Sequence, residues 1–138
     1  MGGLKRCFFI DTNRSKYKNS SIGDEQFKQI EIDLAKLLEE DKLYLDQSLS
    51  MSDLANRLTY NSSQLSQFFS QYKDVSFYDF INSYRIKEFV NRIESKDYQQ
   101  YKIESIANDS GFKNKAVFYK YFKTHLNMTP KQYLSEFQ

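Results

Sequence analysis

Two short stretches hold side chains at a spacing suited to recognition chemistry. One contains Ser63, Ser66, Gln67 and Ser70, the other Lys115, Ala116, Tyr119 and Lys120. Spaced three and four apart, each set falls on one side of a helix, with Leu65 and Phe69, or Phe118 and Phe122, turned to the other side. Apart from Ala116, which offers an apolar methyl, these residue types form hydrogen bonds rather than break covalent bonds. A glutamine amide can bond adenine at N6 and N7 together, a lysine can donate to guanine O6 and N7 or to any phosphate, and serine tolerates several bases. Plain solvent exposure accounts for the serines equally well. Lys102, Lys113, Asn114 and Lys123 flank the second set and suit contacts to a phosphate backbone, which position a reader without giving it sequence preference.

Bond-making chemistry is poorly supplied. His125 is the single histidine, and no serine or cysteine is arranged beside it as a nucleophile, so no enzyme is expected. The single cysteine, Cys7, excludes an internal disulfide and a cysteine-based zinc site, and reads as an ordinary small apolar residue that fits a reducing compartment. No metal or cofactor is expected.

The elements that must carry the two polar faces repeat. Residues 51–58, a turn at 59–61 and residues 62–72 are followed by residues 103–110, a turn at 111–113 and residues 114–126. Leu54-Ala55 and Ile106-Ala107 are offset by 52 positions, as are Tyr60 and Phe112. Leu65 and Phe118 are offset by 53, like Phe69 and Phe122, so the second turn holds one added residue. A small alanine in a first helix, an aromatic in the turn and a polar second helix, twice over, describe two helix-turn-helix units, each able to present its second helix to a DNA major groove. The fold class expected is all-α: two helix-turn-helix lobes bridged by a central connecting helix and preceded by an N-terminal linker helix.

Around this repeat the chain divides into residues 1–23, a polar basic tail; 24–41, a linker helix; and 42–138, the repeat-bearing domain. Within the last, the units cover about 50–72 and 103–126, the connecting helix about 76–95 and a last helix about 130–137. Phe27, Ile30, Leu34, Leu37 and Leu38 recur at helical spacing in the linker helix, with Asp24 and Glu25 at its positive end. Ser50 can cap the helix that follows, and Thr129 can cap the last helix with Pro130 at its first position. In the connecting helix, Phe77, Phe80, Ile81 and Tyr84 point one way and Ile86, Phe89, Val90 and Ile93 the other, which asks for a separate core against each half. Burial all round in a single core is the competing reading.

Composition sets the outer bounds. The chain has 138 residues, 11 tyrosines, 12 phenylalanines, no tryptophan and a net charge of +2. That length makes one domain or two very small lobes, and the apolar content is enough for a core. Most aromatics fall at core spacing, although stacking platforms for single-stranded nucleic acid also use them. Five basic residues stand against one acid in residues 1–23, three against eight in 24–49, six against six in 50–101 and six against three in 102–138. The ends are therefore basic, which supports a nucleic-acid partner, while solvated surface explains such runs too. No apolar run approaches the ~20 residues that span a bilayer, and residues 1–10 lack a signal-peptide pattern, so a soluble chain is expected.

At these residues the chain resembles the C-terminal DNA-binding domain of AraC/XylS-family bacterial transcription regulators. The motifs are Leu54-Ala55, the run from Leu65 to Phe69, Tyr84-Arg85-Ile86, residues 103–112, Phe118 to Lys123, and Met128 to Tyr133. The resemblance covers about residues 42–138. It implies a sequence-specific, double-stranded DNA reader in the cytoplasm, with two recognition helices in successive major-groove segments. The recognition positions it transfers are Ser63, Ser66 and Gln67, then Lys115, Ala116, Tyr119 and Lys120. RNA polymerase is a partner the resemblance implies, and a homodimer is compatible with it. Three residues depart from the pattern: Thr59 stands where glycine is frequent, Phe89 where the connecting helix usually has a small residue, and Asn127 where glycine ends the second recognition helix. Residues 17–25 and 37–45 are similar to the linker of members whose sensory part lies in or beyond a membrane, implying an output domain of a longer receptor. The alternative function is a protein-interaction module that pairs through Leu34, Leu37 and Leu38 of the acidic helix 24–40 and binds DNA weakly.

Overall fold

The computed structural model describes residues 23–95 and 101–136. The tail at 1–22 with Cys7, the polar connection at 96–100 and Phe137 lie outside the described residues. Seven α-helices and no strand occur among those described. They fall into two compact units, one ending at Phe80 and the other beginning at Ile81.

The first unit starts with α1, Asp24–Asp41. Phe27, Ile30, Leu34 and Leu38 recur every three or four residues, so one stripe of the helix is buried. Lys42 ends it in the left-handed conformation (φ 48°), its N–H bonding the Leu38 carbonyl, and a 3₁₀ turn at Leu43–Leu45 buries Tyr44. Helix α2, Met51–Arg57, opens with a reciprocal cap: Ser50 Oγ accepts from the Asp53 N–H (3.1 Å) and the Asp53 carboxylate accepts from the Ser50 N–H (2.9 Å). Asn61 and Gln64 do the same for α3, Ser62–Gln67. The chain then widens into a π-helical segment at Phe68–Lys73 that closes at Asp74 (φ 57°). The wider turn buries the adjacent Phe68 and Phe69 together with Tyr72.

Helix α1 belongs to this first core. Phe27 stacks on Tyr72 with ring centroids 5.2 Å apart and meets Phe68 at 6.4 Å. The Tyr60 hydroxyl donates to Asp33 (2.7 Å), and Glu31 accepts from both the Tyr72 hydroxyl (3.2 Å) and Lys73 Nζ (2.9 Å). Of the three leucines read as a pairing surface, Leu34 is 1% and Leu38 0% exposed within the unit, whereas Leu37 is only partly buried.

Helix α4, Phe77–Glu94, begins in the first unit, where Phe77 and Phe80 pack on Phe69 with centroids 5.8 and 5.2 Å apart. Its later residues Ile86, Phe89, Val90 and Ile93 belong to the core of the second unit with α5 (Ile103–Asp109), α6 (Lys115–Leu126) and α7 (Pro130–Ser135). Between these ends, from Ile81 to Ile86, every side chain is buried, and Arg85 Nη1 donates to Asn82 Oδ1 at 2.9 Å. The helix thus joins the divided-face pattern at its ends to burial all round at its middle.

Phe89, the departure at a usually small position, enters the aromatic centre of the second unit, 4.7 Å from Phe118 and 5.5 Å from Phe122. Phe112 meets Phe118 at 5.2 Å and Tyr133 meets Phe122 at 5.7 Å. Asn127 takes the left-handed conformation at φ 57°, so it fills the role of a helix-ending glycine. Thr129 Oγ1 accepts from the Gln132 N–H in another reciprocal cap, with Pro130 at the first helical position.

Candidate nucleic-acid interface

In the first unit, α2 and α3 are joined without a glycine. Leu58 leaves α2 in an extended conformation (φ −100°, ψ 172°), and the left-handed non-glycine residues among those described are Lys42, Asp74 and Asn127, not Thr59. A β-branched threonine avoids that region, so the chain takes another route through the turn. Leu54, Leu65 and Phe69 point inward, leaving Ser63, Ser66 and Ser70 exposed and Gln67 half-buried. Gln67 Nε2 makes a loose 3.5 Å contact with Ser63 Oγ. The Ser70 hydroxyl donates back to the Ser66 carbonyl (2.9 Å) inside the π segment, so toward a ligand it offers mainly its lone pairs.

The second unit turns differently. Gly111 adopts φ 107°, a region open to glycine, and Phe112 returns its N–H to the Ala107 carbonyl at 3.0 Å. Asn114 Oδ1 then accepts from the N–H groups of Ala116 (2.8 Å) and Val117 (3.2 Å), which starts α6. Lys115, Ala116, Lys120 and Lys123 are exposed on α6, with Lys102, Lys113 and Asn114 exposed before it. Lys120 Nζ lies 5.7 Å from the Tyr121 ring centroid. Tyr119 is half-buried and its hydroxyl donates to Glu104 Oε2 at 3.0 Å; Lys115 Nζ lies 3.8 Å from the same oxygen. Each polar face is thus assembled within its own unit.

A helix-turn-helix domain family model matches residues 54–136, through both turns and both second helices. The chain belongs to the AraC-type helix-turn-helix family. Over 92 residues, 67% of the chain, it is 33% identical to an uncharacterized HTH-type transcriptional regulator of Staphylococcus aureus strain COL. Over 98 residues it is 26% identical to an uncharacterized response regulatory protein of Staphylococcus epidermidis strain ATCC 12228. The matched region spans 12% of the first relative's length and 38% of the second's. A solved structure of a Listeria innocua protein of unknown function superposes with a TM-score of 0.61 at 28% identity, covering 79% of this chain and 97% of that one.

As an AraC-type domain the chain is a DNA-binding element of transcription regulation and not an enzyme. Among the described residues no cluster of His, Cys, Asp and Glu could hold a metal ion, and no helix is long and apolar enough to cross a membrane.

The structure adds two residues to the second face that the sequence reading passed over. Val117 is 37% exposed beside Ala116. Glu104 sits in the first turn of α5, 15 residues from Tyr119, a separation no helical period relates. Its carboxyl is held below the usual carboxylate range, first by its own backbone N–H in the helix's first turn, then by the Tyr119 hydroxyl, with Lys115 and Lys102 adding to this. The Tyr119 phenol is pushed up, first by burial and then by Glu104.

Proposed function

We propose that this chain is a sequence-specific reader of double-stranded DNA that places α3 and α6 in two successive major-groove segments. The observation that carries this reading is the repeated exposure of a hydrogen-bonding face on the second helix of each unit, with the apolar residues of the same helix turned inward. Ser63, Ser66 and Gln67 in α3, and Ser70 in the π segment that continues it, contact base edges, Gln67 giving the strongest discrimination through a bidentate bond to adenine. In α6, Lys115, Tyr119 and Lys120 contact base edges, and Ala116 supplies an apolar contact for a thymine methyl. Lys102, Lys113, Asn114 and Lys123 meet the phosphate backbone and supply the salt-dependent share of affinity.

Such a domain works in the cytoplasm, where the DNA is, and contact with RNA polymerase follows from the family's role in transcription. Two reading units on one chain give two half-site contacts, and a homodimer would double them. From the greater length of the relatives we infer that the domain serves as the output part of a longer regulator.

Selection from a random double-stranded DNA library at physiological salt tests the reading. The expected product is one motif in two parts about 10 base pairs apart. Retention without a motif, or no retention, would reject specific two-part reading and return weight to the interaction module.

A further inference from the structure

The second face contains a negative charge where a DNA-binding surface ordinarily collects positive ones. Glu104 Oε2 accepts the Tyr119 hydroxyl at 3.0 Å and faces Lys115 Nζ at 3.8 Å, so one carboxylate oxygen of α5 holds two side chains of α6. Tyr119 packs against the core of its unit, its ring set edge-on to buried Phe118 with centroids 5.3 Å apart. A phenol has one proton to give and otherwise only accepts. In the major groove, adenine N6 and cytosine N4 are amino donors, whereas guanine O6 and thymine O4 only accept.

Resting on the reading of α6 as a DNA-reading helix, we propose that Glu104 is a positioning residue that sets the base preference of Tyr119. By taking the phenol proton it leaves Tyr119 an acceptor, which on the strand it faces selects an amino-edged base, adenine or cytosine, over guanine or thymine at one position of the second half-site. The carboxylate keeps this orientation because it is ionised at neutral pH and has no proton to hand back. Its ion pair with Lys115 is exposed and contributes little energy, yet it keeps that ammonium beside Tyr119.

Parallel library selections with the wild-type chain, Glu104→Ala and Tyr119→Phe test this, each protein being checked for a cooperative melt. The wild-type chain is expected to show one second-half-site position favouring adenine or cytosine about ten-fold, the scale of one good hydrogen bond. In Glu104→Ala the phenol proton is free to meet a keto oxygen, so that preference should fall to about two-fold or reverse while the first half-site keeps its sequence. A merely structural role would lower the melting temperature and leave the preference intact. A folded Glu104→Ala with the wild-type preference overturns the proposal. Should that variant fail to fold, Tyr119→Phe decides, since it has no hydroxyl and must lose the same preference; retention overturns the proposal. A wild-type chain that selects no motif rejects the DNA reading itself, and the role of Glu104 falls with it.

Discussion

On the proposed reading, Gln67 and Lys123 make two kinds of contact. Gln67 has both a donor and an acceptor on a half-buried stem, whereas Lys123 is an exposed point charge. Gln67→Ala is expected to relax base preference at one position of the first half-site at a cost of about 1 to 3 kcal/mol, while Lys123→Ala weakens all sequences alike and flattens the salt dependence. Measured affinities for the selected site and its single-base variants check both, and an unchanged preference in Gln67→Ala would make the first unit a positioning element. Tyr60 carries a different prediction. Burial, then its bond to Asp33, raises its phenol from 10 to about 12. The folded state therefore holds this proton more tightly than the unfolded state. Its contribution is complete below pH 10 and is lost as pH rises toward 12. Tyr60→Phe should lose about 1 to 2 kcal/mol at neutral pH and show a shallower fall in stability across that window, followed by denaturant melts. Equal slopes in the two proteins would count against the bond. The residue types on both faces were legible in the sequence because each face follows one helical period. Glu104 and the Tyr60–Asp33 bond were not, because tertiary packing brings together residues that are distant in sequence.

Among the elements, α6 depends most plainly on one inward side chain. Phe118 is fully buried and meets Phe89, Phe112 and Phe122. Phe118→Ala should cost about 3 to 5 kcal/mol and melt the second unit first, since the rings around it cannot close the cavity. Thermal unfolding followed by helical circular dichroism measures this, and an unchanged melt would refute the packing. Capped helices were readable from local rules: Ser50, Thr129-Pro130 and the left-handed Asn127 each sit where helix-end chemistry puts them. The π segment was not readable, because Phe68, Phe69 and Tyr72 fit a regular helix as a pattern until both adjacent phenylalanines must be buried at once. Helix α1 was legible as a helix. Its place in the first core was hidden, since a stripe of Phe27, Ile30, Leu34 and Leu38 shows that something covers it without showing what.

For the whole molecule, the offset of 52 to 53 residues between the two units is the feature that sequence and structure share most directly. Each unit has its own aromatic core and its own polar second helix, as the proposed two-part reading requires. The central claim is two-part reading, and hydroxyl-radical footprinting of the chain on its selected site tests it most directly. Two protected segments about 10 base pairs apart on one face of the duplex are predicted, with Gln67→Ala disturbing one segment and Glu104→Ala the other. A single protected segment, or protection that neither Gln67→Ala nor Glu104→Ala alters, would contradict it.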